Sequence, residues 1–215
     1  MFTNFTAVIG LAANPITVAH LMVAQGLRLS GYFNEVWLLP CYCHQFGKEM
    51  VDPYHRLRMC ELAVEGTPFK ICDLEIKNEI EGSSYDTATM LQKEYPTVKF
   101  HWVIGMDNAL TIDKWINYEE FLELMPFVVV PREGVTVDLE QSHWFLEPPH
   151  MYWQQIKWGE EISSTKVREL IAKNDLSVGK LLSPGVLKYI QDHNLYNEVD
   201  NEGQSQGKDP GNKPG

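Results

Sequence analysis

Two hydrophobic periods take turns along this chain. Thr6 to Ala12 is an apolar run that stops at Asn14-Pro15, a turn pair. From His20 to Ser30, Leu21, Ala24 and Leu27 recur at helical spacing, with more apolar positions from Leu29 to Tyr32. Glu35 to Pro40 carries Val36, Trp37, Leu38 and Leu39 and predicts a second buried strand. Pro53 to Glu65 opens with a proline and repeats Leu57, Cys60, Leu62 and Val64, which predicts a helix. The cycle continues with a strand at Phe69–Leu74, a helix at Ser84–Glu94, a strand at Lys99–Gly105, a short helix at Tyr118–Leu124 and a strand at Phe127–Pro131. Residues 135–160 are less regular, and helices are expected at Ser164–Asn174 and Pro184–His193. Strands alternating with helices predict an α/β fold with a parallel sheet covered on both faces. Beyond Tyr196 the composition turns to Asn, Glu, Gly, Gln, Lys, Asp and Pro. Residues 1–196 are thus expected to form one domain, and 197–215 a disordered tail.

Composition narrows the function classes. A chain of 215 residues suits one domain and buries about 70% of its unfolded surface without staples. The net charge of −11 argues against nucleic acid and anionic membranes as partners. A small anionic substrate in a locally positive pocket stays compatible with it. No apolar run reaches the roughly 18 residues of a membrane span, and the start of the chain lacks the pattern of a signal peptide. A cytoplasmic protein with reduced thiols is expected. Cys41-x-Cys43-His44 has the donor types of a metal site, but no second Cys/His pair at finger-like spacing follows, so no metal site is assigned. Self-association into a homo-oligomer is left open.

Three polar clusters fall at expected strand ends or helix starts, where open α/β sheets bind ligands. They are Asn14-Pro15-Ile16-Thr17-Val18-Ala19-His20, Gly105-Met106-Asp107-Asn108 and Ile162-Ser163-Ser164-Thr165-Lys166-Val167-Arg168. Each alone has a plain structural reading: a turn, a core histidine, a helix cap. Together they describe an anion site. The hydroxyl-rich helix start offers free N–H groups and the positive end of the dipole. Arg168 brings a fork suited to phosphate, and His20 a second donor across the crevice. No nucleophile stands beside a base and an orienting group. The chemistry is therefore one of positioning and charge neutralisation, as in phosphoryl and nucleotidyl transfer.

These residues also carry a resemblance. Thr17-x-x-His20 resembles the first signature of the nucleotidyltransferase superfamily, and Ile162 to Arg168 its second, ISSTxxR. Asn14 to Leu21 resembles the NPITxxHL of eukaryotic mononucleotide adenylyltransferases, as do Tyr54-His55-Arg56 and Met59-x-Glu-Leu-Ala63. Gly105-x-Asp107-Asn108 with Lys114-Trp115, then Val128 to Arg132 and Tyr189 to Tyr196, continue the match. By this resemblance the chain is similar to nicotinate or nicotinamide mononucleotide adenylyltransferases over residues 6–196, and a Rossmann-like, doubly wound parallel sheet with a small C-terminal helical part is implied.

The resemblance implies roles as well. His20 would contact the ATP phosphates and stabilise transition-state charge, with Thr17 beside the reacting phosphate. Thr165 and Arg168 would hold the β- and γ-phosphates, and Asn14 and Ser164 belong to the same ATP site. Lys48, in the basic loop after strand two, would bind phosphate, with His44 as its competitor. Asp107 would bind the ATP ribose. Trp115 would stack on the pyridine ring, Ser84 and Tyr85 would lie near that ring, and Arg132 would contact a further phosphate. Mg²⁺ would come with ATP rather than sit in a protein cage. The alternatives are a pantetheine-phosphate adenylyltransferase, disfavoured by the Trp115 segment and ISSTxxR, and an inactive nucleotide-binding relative. The latter is prompted by one departure: the family's glycine-rich turn reads Gly10-Leu11-Ala12-Ala13 here, with Gly10 shifted one step, and offers only backbone N–H groups. Ala19 also replaces the glycine before the histidine.

Overall fold

The structure is a computed structural model that describes residues 4–44, 47–81, 83–155 and 162–197. The expected tail, from residue 198 on, lies outside the described residues. Among the described residues, six parallel strands form one sheet: β1 (Phe5–Leu11), β2 (Phe33–Pro40), β3 (Lys70–Ile71), β4 (Lys99–Gly105), β5 (Phe127–Val130) and β6 (Met151–Tyr152). Their order is β3-β2-β1-β4-β5-β6. The chain runs outward from β1 in one direction, then returns to start again at β4. The β1/β4 border is thus the switch point of a doubly wound sheet.

Among the described residues, eight α-helices accompany the sheet: α1 (Val18–Leu29), α2 (Pro53–Val64), α3 (Leu74–Lys77), α4 (Ser84–Glu94), α5 (Met106–Ala109), α6 (Tyr118–Leu124), α7 (Ser164–Ala172) and α8 (Pro184–Asp192). The period-two pleat divides each buried strand between two cores. Ala7, Ile9 and Leu11 of β1 join Val36 and Leu38 of β2 under Val23 and Leu27 of α1. Val8, Trp37, Leu39 and Trp102 face the other way, against Ala88 and Leu91 of α4 and Phe121 of α6. The C-terminal helices add Val167, Leu170, Val186 and Ile190 to the first core. They complete one face of the sheet.

Local chemistry explains the ends. Pro53 stands at the first position of α2, and Asp52 accepts from the Tyr54 N–H. Ser83 and Asp86 close a reciprocal capping box on α4. Ser163 accepts from the Lys166 N–H at the start of α7.

Four expectations need correction. Helix α1 begins at Val18, before His20, and stops at Leu29, because Gly31 takes a φ of +73°. Leu29 and Tyr32 are exposed rather than continuing its face. The strand expected over Phe69–Leu74 is two residues long and passes into α3 at once. Strand β6, inside the irregular stretch, was hidden because two residues on a sheet edge set up no period.

Candidate active site

A cleft opens at the carboxyl ends of the strands, at the switch point. The end of β1 with the residue after it (Gly10, Leu11, Ala12) and the end of β4 with the start of α5 (Gly105, Asp107, Asn108) line it. The loop after β2 supplies one wall, through Cys43, His44 and Lys48, and the start of α7 supplies another, through Ser163, Ser164 and Thr165. His20, Ser84, Trp115 and Arg132 also line it. Sequence positions as far apart as 20, 48, 107, 132 and 165 thus meet because parallel strands bring all their carboxyl ends to one side.

His20 lies in the first turn of α1, next to the capping residue Thr17. The Thr17 N–H donates to His20 Nδ1 at 3.0 Å, and the Thr17 hydroxyl lies 2.9 Å from the same nitrogen. Nδ1 is therefore an acceptor, which puts the proton of the neutral ring on Nε2. Burial lowers the imidazole pKa to about 4, opposed by the Thr17 hydrogen bond and reinforced by Arg132. His20 is thus a neutral donor at pH 7, not a cation.

Helix α7 is fastened to the turn after β1 by two bonds. Ser164 Oγ donates to the Pro15 carbonyl at 2.8 Å, and Arg168 Nη1 to the Asn14 carbonyl at 2.8 Å. Arg168 Nη2 also donates to Thr165 Oγ1 at 3.2 Å. Arg168 does not line the cleft; it stands one turn behind and directs Thr165 into it. Asn14 is a strut as well. It is 3% exposed, and its side-chain oxygen accepts from the Val51 N–H and from the Tyr196 hydroxyl. Thr17 is likewise buried and reaches the cleft through His20. Asn14, Thr17 and Arg168 thus make their contacts within the protein and are not among the residues that line the cleft.

Charge in the cleft runs against the charge of the chain. The Lys48 ammonium is lowered first by burial, then by the positive charge of Arg168, with Arg132 adding to it. His44 is lowered by burial and by Lys48. Such mutual repulsion among cations marks a site prepared for anions. Arg132 Nη1 is 2.6 Å from Asp107 Oδ2, an ion pair within the cleft. The other oxygen, Asp107 Oδ1, is buried with no hydrogen-bond partner among the described residues. A buried carboxylate oxygen left so is an acceptor awaiting a donor.

The far end of the cleft is aromatic. Trp115 is half-buried, its ring tilted 30° to Phe121 with centroids 6.4 Å apart. Ser84, at the first turn of α4, also lines the cleft, whereas Tyr85 packs toward Phe121 and is not among the lining residues. Gly10 owes its identity to this end. A Cβ there would stand 2.9 Å from Trp102 Cζ2, so the space a glycine leaves is taken by an indole, not kept for phosphate.

Sequence reading missed Glu75, a cleft residue only 7% exposed that carries a carboxyl pushed up to about 7 by burial. It also left Arg56, fully buried, without a role. Arg56 shares a face of α2 with Met59, Cys60 and Ala63. A charged residue three, four and seven positions ahead of apolar ones was the available signal.

Comparison with known proteins places the chain in a family. A family model described as Cytidylyltransferase-like matches residues 12–170. A Bacillus cereus (strain AH820) protein named "Probable nicotinate-nucleotide adenylyltransferase" is 33% identical over 192 residues, covering 88% of this chain and 96% of its own. The Nicotinate-nucleotide adenylyltransferase of Bacillus subtilis (strain 168) is 28% identical over the same shares. A solved structure of Plasmodium falciparum nicotinic acid mononucleotide adenylyltransferase complexed with NaAD aligns with a TM-score of 0.75 at 22% identity, over 90% of this chain and 97% of that one. The fold, the cleft and these matches lead to one conclusion: the chain belongs to the cytidylyltransferase-like family, among the nicotinate-nucleotide adenylyltransferases.

Proposed function

We propose that this protein transfers the adenylyl group of ATP to nicotinate mononucleotide, or to its nicotinamide counterpart, forming an NAD-type dinucleotide and pyrophosphate. The observation that carries the reading is the cleft itself. A chain of net charge −11 gathers Lys48, Arg132 and the amino end of α7 around one crevice, opposite an unpartnered Asp107 oxygen and an aromatic ledge. Cations and helix N–H groups suit a polyphosphate, the carboxylate oxygen a ribose hydroxyl, and Trp115 a pyridine ring. The nicotinate form is favoured by the names of the similar proteins.

In the proposed step, a phosphate oxygen of the mononucleotide attacks the α-phosphorus of ATP in line. A new P–O bond forms as the bond from the α-phosphorus to the α,β-bridging oxygen breaks. The electron pair leaves with pyrophosphate. The attacking oxygen is already ionised at neutral pH, so no base is required. His20 donates Nε2–H to the charge developing on the phosphate, and Lys48 and Thr165 hold the leaving group. Arg168 supports Thr165 from behind. Arg132, paired with Asp107, meets the acceptor phosphate, and Ser84 borders the pyridine subsite with Tyr85 packed behind it.

Cys41 and Cys43 line the cleft, but burial pushes the Cys41 thiol up to about 11 and raises Cys43 as well. Both stay protonated, which fits direct transfer without a covalent enzyme intermediate. Mg²⁺ fits as a passenger of ATP. The cleft offers cations and hydroxyls, and no group of three His, Cys, Asp or Glu among the described residues is arranged to hold a metal ion. When bound, it would neutralise phosphate charge. No helix among the described residues is long and apolar enough to cross a membrane. A reducing, cytoplasmic setting suits a chain whose four cysteines are unpaired.

The test is pyrophosphate release with ATP and each of three acceptors. Release with a pyridine mononucleotide and none with phosphopantetheine is expected. Release with phosphopantetheine alone assigns the sister activity, and no release with any acceptor assigns a binding protein.

A further inference from the structure

Two buried ionisable side chains, Arg56 and Glu75, meet on one peptide group. Arg56 Nη1 donates to the Cys41 carbonyl at 2.6 Å and to the Ala12 carbonyl at 2.8 Å. Its Nη2 donates to the Tyr42 carbonyl at 2.6 Å, and its Nε to Val51 at 3.0 Å. On the other side, Glu75 Oε2 accepts from the Tyr42 N–H at 3.0 Å, and Oε1 accepts from the Thr87 hydroxyl at 2.9 Å. The Cys41–Tyr42 peptide therefore has its carbonyl on a guanidinium and its N–H on a carboxylate.

The three segments so joined all serve the cleft. Ala12 belongs to the turn after β1, on the phosphate side. Cys41 and Tyr42 begin the loop that carries His44 and Lys48. Thr87 lies one turn along α4 from Ser84, on the acceptor side. In-line transfer depends on the relative placement of two substrates, and an error of about 1 Å costs about 10²-fold in rate.

We propose that Arg56 and Glu75 are positioning residues for the transfer step, acting through the Cys41–Tyr42 peptide to set the ATP half of the cleft against the mononucleotide half. Each half-site keeps its own contacts without them. What the bridge supplies is the register between the two, which matters only when both substrates are bound and react.

The inference rests on the adenylyl-transfer reading and is tested by steady-state kinetics on the full chain. Glu75→Ala removes the acceptor for the Tyr42 N–H and is expected to lower kcat about 10- to 100-fold, with both KM values within about threefold of wild type. Glu75→Gln keeps the shape, since its oxygen accepts from Tyr42 and its amide donates to Thr87. It is expected to restore kcat to within about threefold. Thr87→Val, which loosens only the tether to α4, covers the case in which Glu75→Ala does not fold, and is expected to lower kcat several-fold with unchanged KM values. The proposal is overturned if folded Glu75→Ala and Thr87→Val both keep the wild-type kcat. A Glu75→Gln variant as slow as Glu75→Ala also overturns it, since a direct role of the charge then replaces positioning. Wild-type protein with no transfer activity refutes the functional reading instead.

Discussion

Thr17 sets the tautomer of His20. Its backbone N–H, 3.0 Å from Nδ1, makes that nitrogen an acceptor and leaves the proton on Nε2. A ring with its pKa lowered to about 4 works as a neutral donor. His20→Ala is expected to lower kcat about 10²-fold or more, the cost of one aligned donor to a developing charge. The acid limb of free-enzyme kcat/KM due to His20 should fall near pH 4, not near 6.5. A wild-type rate in the variant would leave His20 a structural residue.

Arg168 links the Asn14 carbonyl to Thr165. Lysine keeps the charge but cannot span both acceptors. Arg168→Lys should weaken ATP binding about tenfold, near 1.4 kcal/mol, and leave mononucleotide binding unchanged. Calorimetry with each substrate separately reads the difference. A loss confined to the mononucleotide would reverse the placement of the two half-sites.

Trp115 is half-buried at the cleft edge rather than sealed in the core. Trp115→Ala should raise the mononucleotide KM about tenfold, the loss of one stacking contact of about 1–2 kcal/mol, and spare the KM for ATP. Thermal unfolding of the variant separates this from a core role, which would lower the melting temperature and both affinities together.

Glu75 predicts a pH signature in stability. Its carboxyl, ordinarily near 4.5, rises to about 7 in the fold through burial. A raised acid contributes stability that is whole below pH 4.5 and is lost as pH rises through 7. Relative to Glu75→Gln, the wild type should lose up to about 3 kcal/mol across that window. His20 and His101, both lowered to about 4 by burial, act in the opposite sense as pH falls. The difference between the two proteins, measured by denaturant unfolding, is therefore the readout. A difference that does not vary with pH would remove the raised carboxyl from the account.

What was legible in the sequence follows from periodicity and spacing. The long runs that became β1, β2, β4 and β5 stand out because each is buried on both faces. The two-residue strands β3 and β6 set up no pattern of their own. Helix α2 was legible but its face was not. Leu57, Cys60, Leu62 and Val64 suggested one stripe; of these only Cys60 lies on the buried face, which runs through Arg56, Met59, Cys60 and Ala63. The motifs pointed to residues that line the cleft, His20, Ser164 and Thr165, whereas Asn14, Thr17 and Arg168 of the same motifs are not among its lining residues. Glu75 was not, because a lone acid in a four-residue helix flanked by Asp73 and Glu79 looks like solvated surface until Tyr42 and Thr87 are folded onto it.

The most direct test of the central claim follows the α-phosphorus. ATP labelled at that atom is incubated with the protein and nicotinate mononucleotide, and the products are separated. Direct adenylyl transfer predicts all the consumed label in the dinucleotide, one atom per molecule, unlabelled pyrophosphate in equal amount, and no labelled protein. Label released as AMP, or none incorporated while ATP stays intact, would contradict it.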